Sequence, residues 1–329
     1  MKLSTRLAAV TAGLGLAVSG LGLGTAFAEP VGDPQFRVLA GAGSDTTEEV
    51  VQGLSEVVTD GTTKQIASYN AQGTPQIQTK AAAGCTINRP NGSGQGRDAL
   101  QAALTGNTGC LDFARSSSAK GSFTSPAGAP KLAYVPFAAD SVAFAVTSTS
   151  TLPRKLTFVE LQAIYKCEST GGGTFKPLLP QNGSGTRSFW LSKMYGTSSP
   201  NLSDFPCVKD NAGQEHDGRI LDDNSIVPFS VAQYVAMSGG TVQDKRGRAV
   251  LGQVDLTQPL ALNTGYSNLT RNVYNIVPDV KTSGTTITDP LYLSVFGPTG
   301  KICTGAGAST IQQFGFGLLP ACGTVENRS

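Results

Sequence analysis

The chain has 329 residues, of which 39% are hydrophobic and 15% are charged, and its formal net charge is +2. This apolar content is sufficient for a large core and excludes a wholly disordered chain. So small a net charge gives no electrostatic reason to expect nucleic acid or an anionic membrane surface as a partner.

The first 28 residues are typical of a secretory signal peptide. Lys2 and Arg6 supply a positive start, residues 7–23 are apolar and glycine-rich, and Ala26-Phe27-Ala28 is a small-x-small cleavage site. Cleavage after Ala28 leaves 301 residues with 23 basic and 23 acidic side chains. An uncleaved membrane anchor is the alternative, but the apolar stretch is short and broken by glycines. With no cysteine near the cleavage site, we expect no lipid anchor and predict a secreted protein of the periplasm or cell wall.

Six cysteines behind a signal peptide predict three disulfides in an oxidising compartment. Sequence alone leaves many pairings open. Our prediction is the sequential pairing, in which each bond closes a local loop: Cys85–Cys110, Cys167–Cys207 and Cys303–Cys322. Because no C-x-x-C spacing occurs and His216 is the single histidine, we expect no metal site, and we expect no cofactor.

The mature chain begins with a unit of strand, Gly/Ser loop and helix. Residues 36–40 alternate in hydrophobicity as a strand does, and apolar residues within 48–58 have helical spacing. Ser44, Asp45 or Thr46 in the loop between them is a candidate helix cap.

The same arrangement returns at residues 87–104, where Gly92-Ser93-Gly94 precedes a predicted helix over 98–104, and again at residues 182–194. A helix start offers unpaired N–H groups and partial positive charge, and glycines allow a ligand to approach the backbone closely. Three such loops could therefore surround one small oxyanion at the carboxyl ends of strands. Each loop taken alone is equally well explained as a structural turn.

The other elements follow in chain order and complete a mixed α/β pattern. They are a strand into a polar loop at 111–118, a long extended crossing at 132–146, a helix with a capping box from Thr157, a helix after Pro228, a strand at 271–277, and a C-terminal helix starting near Ser309.

These motifs, taken together and in order, resemble those of the substrate-binding proteins of bacterial phosphate uptake systems, in the two-lobed type II periplasmic binding-protein superfamily. The resemblance covers most of the mature chain. The matching segments are Gly41-Ala42-Gly43-Ser44-Asp45-Thr46, Gly92-Ser93-Gly94, Asp112-Phe113-Ala114-Arg115-Ser116-Ser117 and, most specifically, Gly183-Ser184-Gly185-Thr186.

The resemblance implies an α/β fold of two lobes joined by two hinge crossings, near 134–146 and 271–280. Lobe I would comprise residues 29–138 and 273–329, and lobe II residues 139–272. It further implies a monomeric, non-enzymatic protein that clamps a dehydrated oxyanion, phosphate above others, and delivers it to an ABC-type permease.

The resemblance also implies which residues bind the anion. The family's donors fall on Thr46, Ser93, Ser184, Gly185 and Thr186, whereas its proton-accepting Asp falls on Ser117 and its Arg on Pro180. A buried carboxylate distinguishes protonated phosphate from sulfate, since only the former donates a hydrogen bond to it.

We therefore expect Asp45 to be that acceptor, and Arg187, with Arg115, to replace the lost cation. The alternative for Asp45 is a simple helix cap. We also expect Arg187→Ala to weaken anion binding more than Ser93→Ala. The predicted ligand set is Ser44, Asp45, Thr46, Ser93, Arg115, Ser117, Ser184, Gly185, Thr186 and Arg187.

Two other functions remain open from sequence. A hydrolase would use Ser184 or Ser93 as nucleophile, with His216 as base and Asp217 to orient it, but the G-x-S-x-G pattern is absent. A secreted interaction protein could keep the fold and have lost its ligand. Glu215 and His216 lie either in the cleft or in a surface loop.

Overall fold

The computed structural model describes residues 30, 36–82, 84–168, 175–255 and 269–329. The predicted signal peptide lies outside the described residues. The helices within them are α1 (Glu48–Val57), α2 (Ser93–Thr105), α3 (Phe158–Tyr165), α4 (Gly185–Tyr195), α5 (Val231–Ser238), α6 (Pro290–Phe296) and α7 (Gly305–Gln313).

The strands are short except for two. They are β1 (Leu39–Gly43), β2 (Thr59–Asp60), β3 (Thr63–Lys64), β4 (Ile66–Ser68), β5 (Gln76–Gln78), β6 (Thr86–Asn88), β7 (Phe113–Ser116), β8 (Leu132–Thr147), β9 (Lys155–Leu156), β10 (Lys176–Pro180), β11 (Lys209–Gly213), β12 (Ser225–Ser230), β13 (Ala249–Leu251), β14 (Gln253–Val254), β15 (Thr270–Pro278), β16 (Thr282–Ser283), β17 (Thr286–Ile287) and β18 (Asn327–Arg328).

One sheet of ten strands runs through the molecule in the order β11-β10-β12-β8-β15-β7-β1-β4, with β13 and β18 also paired to β8. The long strands β8 and β15 are its centre. The first part of β8 pairs with β15, and the part from Val142 onward pairs with β12 and β13. The predicted crossings are therefore two adjacent antiparallel strands, and the described residues form four buried hydrophobic clusters around the sheet.

Two of these clusters illustrate the packing at the two ends of the sheet. On one side, Val50, Val51 and Leu54 of α1 pack with Phe113 and Phe296. On the other, the aromatic pair Tyr165 and Trp190 anchors α3 and α4 beneath the sheet, with ring centroids 5.6 Å apart. Burial of large apolar side chains of this kind is the main stabilising contribution to each half.

Two predicted boundaries near glycines are wrong. The first strand spans 39–43 rather than 36–40, and Gly41 within it lies directly against the Phe113 ring where a Cβ would collide. The second helix begins at Ser93, not at residue 98, because Gly96 brings α2 into backbone contact with Gly43. From sequence these two glycines are expected in loops, whereas in the structure they allow close packing within a strand and a helix.

Other predicted helix ends also shift. Thr47 precedes α1 and makes no side-chain cap hydrogen bond, so the predicted caps at 44–46 are wrong. The last helix starts at Gly305 and ends at Gln313. The capping box of α3 is confirmed, with the Thr157 hydroxyl accepting from Glu160 N and the Glu160 carboxylate accepting from Thr157 N.

The sequential disulfide pairing is confirmed. Cys85–Cys110, Cys167–Cys207 and Cys303–Cys322 are bonded, with Cα–Cα separations of 5.0, 5.7 and 5.8 Å. Among the described helices, none combines the length and the apolar character needed to cross a bilayer.

Candidate functional site

The predicted glycine and serine loops meet between the two halves of the sheet. Gly94 N donates to Gly183 O at 3.1 Å, and Gly92 N donates to Gly43 O at 3.3 Å. Ser44 N in turn donates to Arg115 O at 3.1 Å. Segments far apart in sequence thus form one site, as expected at the carboxyl ends of strands in an open α/β sheet. We call it the cradle: residues 44–46, 93, 117, 184–186 and 215.

The start of α4 forms one wall of the cradle. The Ser184 hydroxyl caps the helix by accepting from Arg187 N at 2.9 Å. Gly185 lies against the hydroxyls of Ser93 and Ser117, where any Cβ would collide. The Ser93 oxygen accepts from Ser117 N at 3.0 Å. The wall therefore depends on glycine at 185, because only a bare backbone permits this approach.

Hydroxyls from both halves of the molecule converge on one carboxylate oxygen, Glu215 Oε2. Thr186 Oγ1 donates to it at 3.1 Å, and Thr46 Oγ1, from the other half, also donates to it. The two threonine oxygens are 3.0 Å apart. The site therefore already stabilises a negatively charged oxygen with donors from two lobes.

His216 completes this cluster. Its Nδ1 accepts from Ser230 N at 3.3 Å, which leaves the proton on Nε2, 2.9 Å from Thr46 Oγ1 and 3.2 Å from Glu215 Oε2. The residue is buried and its φ is 59°, a left-handed conformation that a non-glycine residue adopts at a cost. Such strain is often found at functional sites.

These contacts explain the acidity of Glu215. Burial alone would raise the pKa of its carboxyl, but hydrogen bonds from His216, Ser184 and Thr46 lower that pKa below its ordinary value. Glu215 is therefore ionised at neutral pH.

A buried ion pair lies beneath the cradle, where β8 and β15 pass from one half to the other. Asp140 and Arg271 are register partners, and Arg271 Nη2 donates to Asp140 Oδ2 at 2.8 Å and to Thr186 Oγ1 at 2.9 Å. The second Asp140 oxygen accepts from Ser230 Oγ at 2.8 Å and from Ala232 N at 3.2 Å. Arg271 is thus the cation that contacts the cradle.

Arg187 and Arg115, the two arginines predicted from sequence to bind the anion, make other contacts in the structure. The Arg187 guanidinium turns away from the cradle, donating to Pro180 O at 3.1 Å and pairing with Asp210. Arg115 is fully buried and holds the opening loop, with Nε donating to Ser44 O at 3.3 Å and Nη1 to Tyr69 O at 2.8 Å. Among the described contacts, neither guanidinium donates to a cradle hydroxyl. The prediction that Arg187 is the ligand cation therefore has no support in these contacts.

Asp45 lies at the acidic edge of the site. Its pKa is raised well above the ordinary value, first by burial and then by the charges of Glu48, Glu215 and Glu49. Burial and Glu48 also raise the pKa of Glu49 to about 7, against Lys245 and a hydrogen bond from Gln233. Asp45 is poorly suited to be the ionised acceptor, because its proton is retained more strongly than that of Glu215.

Several buried polar atoms around the cradle have no hydrogen-bond partner within the described chain. They are Ser44 Oγ, Glu215 Oε1, Gln233 Oε1 and Arg271 Nη1. Since leaving such groups unpaired costs stability, they favour a site that is completed by a bound molecule.

The sequence reasoning did not include Asp140, Arg271 or Gln233 in the site. Asp140 was visible as a single acid within the apolar run 132–146, which is a signal for a paired buried charge. Nothing local marks Arg271, because its partner is 131 residues away.

No protein-family model matches the sequence, and no curated protein matches it. Solved structures do. One, described as a phosphate ABC transporter substrate-binding protein with bound phosphate, from Clostridium perfringens, has a TM-score of 0.57 at 14% identity, covering 85% of this chain and 99% of that one. The chain has the two-lobed type II periplasmic binding-protein fold.

A second structure agrees with this assignment. An ABC-type phosphate transport receptor from Vibrio cholerae has a TM-score of 0.52 at 15% identity, covering 85% of this chain and 100% of that one. The predicted binding-protein fold is therefore confirmed.

Proposed function

We propose that this protein is an extracytoplasmic solute-binding protein that captures phosphate between its lobes for uptake by an ABC-type permease. The observation that carries the proposal is the convergence of Thr46 and Thr186, from opposite lobes, on a single negatively charged oxygen. Three disulfides fit an oxidising compartment outside the cytoplasm. Both structural neighbours named above are phosphate-transport proteins, which agrees with this choice of anion.

In this proposal, residues 29–138 and 273–329 form one lobe and 139–272 the other, and the protein acts as a monomer. Thr46, Ser93, Ser184, Gly185 and Thr186 hold the anion, and Ser44, Asp45 and Ser117 border it. Arg271 supplies the cation in place of Arg187. In the structure Thr46 and Thr186 bond to Glu215, so an entering oxyanion must replace those contacts.

Glu215 takes the acceptor role first given to Asp45. An ionised Glu215 carboxylate accepts a hydrogen bond from the P–OH of a protonated phosphate and repels a sulfate, which has no proton to donate. We expect phosphate to bind about 100-fold more tightly than sulfate, a difference of about 3 kcal/mol, as for a charged hydrogen bond gained against a buried repulsion.

Calorimetric titration of the mature protein with phosphate and sulfate tests this proposal. Glu215→Gln should bring the two affinities within about tenfold of each other, because the amide can donate to either anion. Asp217→Asn is the matched control, since Asp217 pairs with exposed Arg219 instead. Equal binding of both anions by the unmodified protein would remove the acceptor role.

A ligand-free interaction protein is the second candidate, and one observation favours it: the threonine donors of the cradle are already satisfied by Glu215. The two candidates differ in thermal stability, since an anion that binds only the folded state must raise Tm. No shift with phosphate, sulfate, arsenate or molybdate would favour the second.

The arrangement does not support the hydrolase. Asp217 bonds to Arg219, not to His216, whose Nδ1 faces a backbone amide. The His216 Nε2 contacts are Thr46 and Glu215, so His216 is not placed as the base for Ser93 or Ser184. We therefore propose a protein without enzymatic activity.

A further inference from the structure

The two threonine hydroxyls of the cradle can each point their hydrogen in more than one direction. A hydroxyl carries one hydrogen and two acceptor lone pairs, and it rotates to suit its partners. The side chains of Thr46 and Thr186 are fully buried. Neighbouring protein groups, not solvent, therefore determine whether each hydroxyl donates into the anion site or away from it.

Arg271 determines the direction at Thr186. Its Nη2 donates to Thr186 Oγ1 at 2.9 Å, and a guanidinium has no lone pair to accept a hydrogen bond in return. The Thr186 hydrogen is left for Glu215 Oε2, which is 3.1 Å away. Thr186 is thereby fixed as a donor toward the negatively charged oxygen.

His216 has the equivalent position behind Thr46. Its Nε2 lies 2.9 Å from Thr46 Oγ1, and Thr46 Oγ1 donates to Glu215 Oε2. The other ring nitrogen, Nδ1, accepts from Ser230 N at 3.3 Å, so a neutral ring carries its proton on Nε2. The Nε2–H group therefore donates to Thr46 as the Arg271 guanidinium donates to Thr186.

The other tautomer of His216 would reverse this arrangement. A proton on Nδ1 would face the Ser230 N–H group, so that two donors oppose each other. The bare Nε2 would then accept the Thr46 hydrogen and draw it away from the anion site. The Ser230 amide thus controls, through the ring, the direction in which Thr46 donates.

We infer that His216 is a positioning residue of the cradle, whose Nε2–H group fixes Thr46 as a donor to the oxyanion as Arg271 fixes Thr186. This inference rests on the proposed function, in which an anion oxygen takes the place of Glu215 Oε2 between the two threonines. Two fixed donors favour an ionised oxygen at that position, because it accepts hydrogen bonds more strongly than the oxygen of a P–OH group.

Nitrogen-15 NMR of the imidazole ring tests the tautomer. His216 is the only histidine in the chain, so mature protein prepared without a histidine tag gives the signals of this ring alone. At neutral pH we expect a protonated Nε2 and an unprotonated Nδ1, both with and without phosphate. A proton on Nδ1 would overturn the inference, whether or not the protein binds phosphate.

Two substitutions separate this role from a purely structural one. His216→Gln keeps an N–H group long enough to reach Thr46, whereas the side chain of His216→Asn is too short but better tolerates the φ of 59° at this position. We expect the phosphate Kd to rise about tenfold in His216→Asn, as for one lost buried hydrogen bond, and less than about threefold in His216→Gln. Stability to urea should follow the opposite order. Affinities that simply follow stability would contradict the positioning role.

A double-mutant cycle tests whether His216 acts through Thr46. In a Thr46→Val background, adding His216→Asn should change the phosphate Kd by less than about twofold, because the hydroxyl that it positions is already absent. Ser93→Ala is the matched control background, since Ser93 contacts Ser117 instead, and there the tenfold effect should persist.

Two results of these titrations would overturn the inference and leave phosphate binding intact. They are an unchanged affinity in His216→Asn and an equal loss in the two backgrounds. If the unmodified protein does not bind phosphate, the proposed function fails and the binding role of His216 fails with it.

Discussion

Two arginine–aspartate pairs flank α4, and they lie in contrasting surroundings. The side chains of Arg271 and Asp140 are 3% and 0% exposed, and serine, threonine and backbone groups satisfy much of their remaining bonding capacity. Those of Arg187 and Asp210 are 11% and 39% exposed. A buried pair is costly to break, whereas a partly exposed pair contributes about 1 kcal/mol or less.

This difference shows that closeness in sequence to a binding loop does not determine where a long side chain ends. Arg187 directly follows the glycine loop, yet its guanidinium reaches Asp210, away from the cradle. Arg271 lies 85 residues from Thr186 and contacts it. The variants below test the contrast, beginning with the largest effect.

Arg271→Ala should raise the phosphate Kd about 100-fold or more and lower the free energy of unfolding by about 3 kcal/mol, because Asp140 would be left buried without its cation. Calorimetry and urea unfolding measure the two quantities. Arg271→Lys keeps the charge but loses the paired donors, so an intermediate loss is expected. Unchanged affinity in Arg271→Ala would end its assignment as the ligand cation.

Ser93→Ala should weaken phosphate binding about tenfold, because it removes a buried hydroxyl of the cradle. Arg187→Ala should change the affinity less than about threefold. This order reverses the one expected from sequence and can be measured in a single set of titrations. A larger loss in Arg187→Ala would restore the sequence-based assignment.

Glu49→Gln should alter how stability depends on pH. The pKa of Glu49 is raised to about 7 in the folded protein, so its unfolded form ionises first, and stability falls as the pH rises from about 4.5 to 7. Asp45, whose pKa is also raised, acts in the same direction. In Glu49→Gln the decrease in Tm between pH 5 and pH 8 should be smaller by a few degrees. An identical decrease in both proteins would contradict the raised pKa.

Much of the architecture could be predicted from sequence because local rules determined it. Helical spacing in α1, the Thr157–Glu160 capping box and the apolar run of β8 all appear as expected. The cradle could be predicted in outline, because three glycine loops precede helices and parallel strands bring such loops to one edge of the sheet.

The contacts inside the cradle were less predictable, because they depend on pairs of residues that are distant in sequence. The register of β8 and β15 places Asp140 opposite Arg271, and no local pattern specifies a register across 131 residues. Glu215 and His216 occupy a polar stretch typical of surface loops, so only the folded chain shows them buried.

The position of Arg271 on a crossing strand has a consequence for the order of events during capture. Its guanidinium is held by Asp140 on the adjacent crossing strand, so in the proposed lobe rotation the Thr46 hydroxyl would move while the guanidinium stayed in place. In the proposed capture the anion would meet the same guanidinium before and after the lobes close, so deleting cradle hydroxyls should mainly speed release.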